Sequence, residues 1–219
     1  LNNPLFALQG FISLLESSID DTGTRDHRQE REYMENIREQ VDRCARLTRG
    51  FLDYAREPQE EWVETDLNEL IRDTLYLLGV RIRQAGVTLE ENLNDDVPWI
   101  TLKKPSLQQV IYNLVTNAVQ AAEEGGRHVK ISTRRKDNGD QGCIEFTIED
   151  NGPGIAPEHR DHIFDSFFTT KPAASGSGLG LAICQRVISE HAGTISVESE
   201  PEDGATFRVE LPLTQQTTP

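Results

Sequence analysis

Apolar residues recur along this chain with two different periods, and the changes of period divide it. Leu5, Leu8, Phe11, Ile12, Leu15 and Ile19 fall three or four positions apart, which predicts one apolar face of a helix. Residues 20–27 are polar and contain Gly23, a turn. Met34, Ile37, Val41, Cys44, Thr48, Phe51 and Ala55 then repeat at helical spacing over three heptads, as in a coiled-coil seam. Two helices joined by a short turn form a hairpin whose stripe the pair cannot bury alone. The expected remedy is a dimer in which two hairpins make a four-helix bundle; a hairpin folded back on its own chain is the alternative.

Residues 57–61, with Pro58 among acidic neighbours, break that pattern and read as a linker. Asp66 can then cap a helix running to about Gly79, with Leu67, Leu70, Ile71, Thr74, Leu75 and Leu78 on its inner face. Strands read at 87–93 and 99–102. Pro105 and Ser106 open a long helix that turns Leu107, Val110, Ile111, Leu114, Val115, Ala118 and Val119 inward. Strands at 129–135 and 142–150 follow, then a helix at 179–191 stopped by Gly193, then strands at 194–198 and 206–211. Antiparallel-looking strands with helices between them predict a two-layer α/β sandwich with all helices on one face, so the whole chain is expected to be α+β. The expected organisation is a hairpin at 1–56, a linker at 57–64, the sandwich at 65–213 and a polar, disordered tail at 214–219.

Three stretches of the sandwich carry candidate chemistry. The run Glu149-Asp150-Asn151-Gly152-Pro153-Gly154-Ile155 ends an alternating strand on an acidic residue and a glycine turn. Glycine lets backbone approach a flat ligand closely, and a carboxylate accepts a hydrogen bond from an exocyclic amino group. Adenine offers that donor where guanine has a carbonyl, so Asp150 would select adenine. On the long helix, Asn113 and Asn117 are four apart and share a face beside apolar neighbours. Such amides need partners, either local hydrogen bonds or a hard cation with phosphate oxygens around it. Farther on, Phe164, Phe167 and Phe168 precede Lys171, and Phe164 reads as core. Gly176, Gly178 and Gly180 then lead into a helix, where backbone amides and the helix end favour an anion.

Composition narrows the field. The 219 residues carry 37 acidic and 22 basic side chains, a formal charge of -15, which would repel a phosphate polymer, so nucleic acid is an unlikely partner. The mean hydropathy is -0.53, and no apolar run approaches the ~18 residues a membrane span needs. Cys44, Cys143 and Cys184 lie far apart in apolar patterns and read as reduced, buried thiols of a cytoplasmic protein. The chain begins inside a helical pattern without an initiator Met, which reads as a fragment of a parent whose membrane attachment, if any, lies elsewhere.

The stretches in this order resemble bacterial sensor histidine kinases of two-component systems. Residues 113–122 (NLVTNAVQAA) look like the N box, 150–155 the G1 box, 163–171 the F box and 176–181 the G2 box. The resemblance implies the Bergerat fold shared with gyrase and chaperone ATPases, with ATP and Mg2+ as cofactors. By motif, Asn117 would hold magnesium and Asn113 assist at the phosphates. Asp150 would read adenine, with Gly152, Gly154 and Ile155 shaping that end. Phe168, Thr170 and Lys171 belong to the F-box contribution, with Lys171 reaching the terminal phosphate. Gly176, Ser177, Gly178, Leu179 and Gly180 would form the lid hinge. Gly204, Ala205, Thr206 and Phe207 resemble the family's last motif, which puts Thr206 near the adenine.

The first residues, Leu1 to Leu5, resemble the end of the H box of the dimerisation and phosphotransfer hairpin. That match places the acceptor histidine two positions ahead of Leu1, so no phospho-acceptor is expected in this chain, and Asn3 falls where the family positions water for dephosphorylation. His27, His128, His159, His162 and His191 do not fit the acceptor motif. The resemblance implies ATP-dependent histidine autophosphorylation, phosphotransfer to an aspartate of a response regulator, and a homodimer. The alternative is an ATP-binding scaffold, or a regulator acting only as a phosphatase. An ATP-hydrolysing clamp would need a glutamate where Asn113 stands, and an amide is no general base.

Overall fold

The computed structural model describes residues 2–20, 28, 30–38, 40, 41, 44, 60–136, 142–170 and 178–213. They belong to two units, one of residues 1–57 with 167–179 and one of residues 58–166 with 180–219. In the first unit, helix α1 spans Asn2–Asp20, and residues 30–38 are also helical. Its apolar stripe is partly covered: Leu8, Phe11, Leu15 and Ile37 are half-buried, while Ile12, Met34 and Val41 are exposed. Asp20, the start of the expected turn at 20–27, is instead the last residue of α1; the rest of that turn, the seam residues Thr48, Phe51 and Ala55 and the tail at 214–219 lie outside the described residues.

The second unit begins with β1 (Val63–Thr65), α2 (Leu67–Ala85), β2 (Thr88–Leu93), β3 (Ile100–Leu102) and α3 (Lys104–Glu124). It continues with β4 (His128–Lys136), β5 (Cys143–Asp150), the short α4 (Pro157–Arg160), α5 (Gly180–Glu190), β6 (Thr194–Ser199) and β7 (Ala205–Pro212). Asp66 caps α2 as the sequence predicts, its Oδ1 accepting from Asn68 N–H at 2.8 Å and Glu69 N–H at 3.1 Å. The helix runs six residues past Gly79. An interior glycine costs only about 1 kcal/mol, and Ile82 keeps the apolar period. The stop is Gly86, at φ 65, whose N–H donates to Arg83 O while Val87 N–H reaches Ile82 O.

Strands β2, β4, β5, β7 and β6 form one sheet in that order, and β1 pairs with β3 in a second. The expectation of an antiparallel sheet needs one correction, because β2 runs parallel to β4. The chain between them includes all of α3, and a crossover helix returns a strand in the same direction. Register sorts the two faces. Val129, Ile131, Ile144, Phe146, Ile148, Phe207, Val209 and Leu211 share the face covered by α2, α3 and α5, and all are buried. The residues named above for the inner faces of α2 and α3 are buried as well. Polar anchoring supplements this core: buried Asn68 donates to Asn94 O at 2.9 Å and accepts from Thr133 Oγ1 at 2.8 Å.

The opposite sheet face is polar. There Glu145, 2% exposed, is ringed by Arg134, by Lys136 at 3.1 Å and by Arg208 at 2.9 Å. Burial alone would raise its pKa, but hydrogen bonds from Arg134, Arg208 and Lys136 outweigh that and hold it at about 2. A depressed carboxylate stabilises the fold above its unfolded pKa, near 4.5, and that contribution is lost as pH falls toward 2. Glu145→Gln is expected to lower neutral-pH stability by about 1–2 kcal/mol, since the cations left behind can turn partly to water. The same variant should lose less stability than the parent between pH 4.5 and 2, which urea titrations at both ends of the window would show.

Candidate functional site

Strand β5 delivers Asp150 to the helix side of the sheet, between Val129 of β4 and Ala205 of β7. Its carboxylate is buried and Oδ1 accepts from Gly152 N–H at 3.0 Å, so the acidic group is held against its own turn. The turn lies close to α3. A Cβ on Gly152 would stand 2.7 Å from the backbone carbon and oxygen of Ala121, a contact only glycine relieves. Asn151 clips the same turn to the loop after α3. Its Oδ1 accepts from His128 N–H at 2.8 Å, and its carbonyl accepts from Gly126 N–H at 3.0 Å. On the other side, Gly204 has φ 80, and a Cβ there would lie 1.9 Å from Asp150 O.

Helix α3 presents Asn113, Thr116 and Asn117 on a half-buried polar stripe. Asn113 Nδ2–H donates to Gly180 O, the first residue of α5, at 3.3 Å. One of the two amides is thus engaged in tying α3 to the helix after the glycine loop. The Cys184 thiol on α5 is pushed up to about 12 by burial and is no nucleophile at neutral pH. The Thr116 hydroxyl, directly before Asn117, is buried and has no hydrogen-bond partner among the described residues. Neutral oxygens of this kind fit a hard cation that arrives with phosphates around it. Among the described residues, no group of three His, Cys, Asp or Glu could hold a metal by itself.

Phe168, Thr170 and Leu179 belong to the other unit, and within it Phe167 N–H donates to Gly178 O at 2.8 Å. Lys171, Gly176 and Ser177 lie outside the described residues. Phe164 is half-buried and not the core residue expected, and Asn3 lies in the first turn of α1. Thr206 pairs with Glu149, so its side chain points to the polar sheet face, away from that of Asp150. The cross-strand neighbour of Asp150 is Ala205 instead.

Three of the described histidines have partners within the fold. His191 is buried, with Nδ1 2.8 Å from Val187 O and Nε2 accepting from Lys103 N–H at 3.0 Å, so both ring nitrogens are engaged. Burial lowers its pKa and keeps it neutral. His162 pairs with Asp165 at 2.8 Å and His128 with Glu90 at 3.4 Å; His27 lies outside the described residues. Lys103 has a structural role, its ammonium 5.5 Å from the Trp62 ring centre and 3.5 Å from Glu190. Sequence reasoning missed Asn151 and Ser199, whose partners are distant in sequence. The Gly125-Gly126 pair after α3 was a visible sign of the close approach.

Residues 103–215 match the family described as histidine kinase-, DNA gyrase B- and HSP90-like ATPase, and residues 1–60 match the His Kinase A (phospho-acceptor) domain. The signal transduction histidine-protein kinase AtoS of Escherichia coli (strain K12) is 35% identical over 99% of this chain and 34% of its own length. Sporulation kinase E of Bacillus subtilis (strain 168) is 30% identical over 98% of this chain and 27% of its own. The chain thus spans about a third of the length of such curated relatives. Among solved structures, histidine kinase ThkA in complex with response regulator protein TrrA is 30% identical, with a TM-score of 0.70 over 99% of this chain and 60% of that one. Full-length ShkA in complex with AMPPNP, at 24% identity and a TM-score of 0.69 over 99% of this chain and 47% of that one, shares the fold. The chain therefore belongs to the histidine kinase-, DNA gyrase B- and HSP90-like ATPase family, joined to a phospho-acceptor domain as in the sensor histidine kinases.

Proposed function

We propose that this chain is the kinase core of a two-component sensor, which phosphorylates a histidine from Mg-ATP and passes the group to an aspartate of a response regulator. The observation that carries the reading is the buried Asp150 turn seated against α3, the helix that also bears Asn113 and Asn117. Asp150 accepts from the adenine amino group, and the Gly152 approach seats its turn against α3. Asn117, next to the unsatisfied Thr116 hydroxyl, would hold magnesium by its amide oxygen. The ion neutralises charge on the terminal phosphates when bound. Asn113 braces the start of α5 through Gly180, and Lys171 reaches the terminal phosphate by its motif position. Positioning and charge neutralisation then supply most of the rate of an in-line transfer.

The acceptor is the histidine that the H-box match places two positions ahead of Leu1, and Asn3 would position water for the reverse, phosphatase reaction. The exposed stripe residues Ile12, Met34 and Val41 support a homodimer through the hairpin. The ThkA complex supports a response regulator as partner. Among the described residues, no helix is long and apolar enough to cross a membrane. Residues 1–56 would be the phosphotransfer hairpin, 57–64 the linker and 65–213 the ATP-binding domain.

Calorimetry with and without magnesium tests the metal assignment. Wild-type affinity for ATP is expected to rise with Mg2+, and Asn117→Ala should remove most of that rise, roughly tenfold or more, since one inner ligand is lost. An Asn117→Ala protein that keeps the full magnesium effect would place the ion elsewhere.

A further inference from the structure

We propose that Ser199 is a positioning residue that sets how well Asp150 reads adenine, an inference that rests on the nucleotide reading above. Ser199 ends β6, and the register Ser199, Ala205, Asp150 runs straight across three strands on the helix face. Its hydroxyl does two things at one atom. It donates to Gly204 O at 2.6 Å and accepts from Ile155 N–H at 2.9 Å. Those partners belong to different structures: Gly204 begins the return into β7, while Ile155 closes the turn that Asp150 opens.

The consequence is geometric. The Asp150 turn is seated on α3 at Gly152 and on the loop after α3 at Asn151, which hold its first half. Its second half meets the β6–β7 hairpin. There Ser199 joins a backbone contact, Glu202 N–H to Pro153 O at 2.9 Å, and the Arg160 side chain, whose Nε donates to Ile155 O at 3.4 Å and whose guanidinium pairs with Glu200 at 3.0 Å. The hydroxyl ties the turn directly to the strand row that includes Asp150. An alanine at this position leaves Ile155 N–H and Gly204 C=O without that partner, and an unpaired backbone group disfavours the close approach. The turn then relaxes away from the hairpin, and the carboxylate loses its fixed aim while keeping its chemistry.

A loosened aim has a signature distinct from general weakening. Discrimination between ATP and purine riboside triphosphate, which lacks only the exocyclic amino group, reads the Asp150 hydrogen bond alone. Wild type is expected to prefer ATP by about 10–100-fold, the range for one buried hydrogen bond to a charged acceptor. Ser199→Ala should cut that preference roughly fivefold or more, and Ser199→Thr should restore it. Ser199→Val has the shape of the threonine without its hydroxyl and is expected to behave as the alanine, so the Thr and Val pair decides if the alanine variant fails to fold.

Both affinities are measured by calorimetry on the whole chain, with thermal unfolding alongside. A preference that collapses in Ala and Val and survives in Thr supports the role. Affinities for both nucleotides that fall together, or stay unchanged, in Ala and Val overturn it and leave Ser199 as a fold contact only. A wild type with no preference for ATP instead overturns the adenine reading itself, and the role of Ser199 with it.

Discussion

Asp150→Asn is expected to weaken ATP binding by about 100-fold while leaving the fold almost unchanged. The two effects separate because Gly152 N–H needs one side-chain oxygen, and asparagine supplies it. The turn therefore persists, with a melting temperature near that of the parent. The same substitution replaces the second oxygen by an NH2 group, a donor that cannot accept from the adenine amino group. Titration calorimetry and a thermal melt on one sample would check both halves. Binding within about threefold of wild type would mean that Asp150 does not contact the base.

Gly204→Ala should do the opposite, striking fold and site together. The position has φ 80, a left-handed conformation that costs an L residue about 1–2 kcal/mol. The added Cβ would also stand 1.9 Å from Asp150 O, a backbone atom fixed in the β5–β7 ladder. Relief requires the hairpin and the Asp150 turn to part, so a loss of about 3 kcal/mol or more is expected, with a melting temperature lower by roughly 6–12 °C. Saturating ATP should recover little of this, because the displaced backbone is that of the adenine end. An unchanged melting temperature would show the hairpin to be looser than the register implies.

Much of this fold was legible because its signals are local. The apolar periods of α2 and α3, the Asp66 cap and the Asp-Asn-Gly turn each act within a few residues. The failures share the opposite property. Gly79 read as a helix end because the better stop, Gly86, is defined by a left-handed φ that the sequence does not display. The parallel course of β2 follows from a crossover through α3, and the outward side chain of Thr206 follows from register against Glu149. Asn151 and Ser199 escaped notice for a related reason. Their partners lie 23 and 44 positions away, and a polar residue in a turn or strand end gives no sign of which distant backbone it will meet. Within the site, the residue types were readable; the clamps that aim them were not.

Histidine phosphorylation leaves a chemical signature of its own, because a phosphoramidate is stable in alkali and labile in acid. The full-length protein is incubated with γ-labelled Mg-ATP, and the bound label is treated with acid and with alkali. Label that survives alkali, is released by acid and disappears in the Asn117→Ala protein is the predicted result. Tight ATP binding with no transferred label would rule out the kinase reaction and leave a nucleotide-binding scaffold or phosphatase in its place.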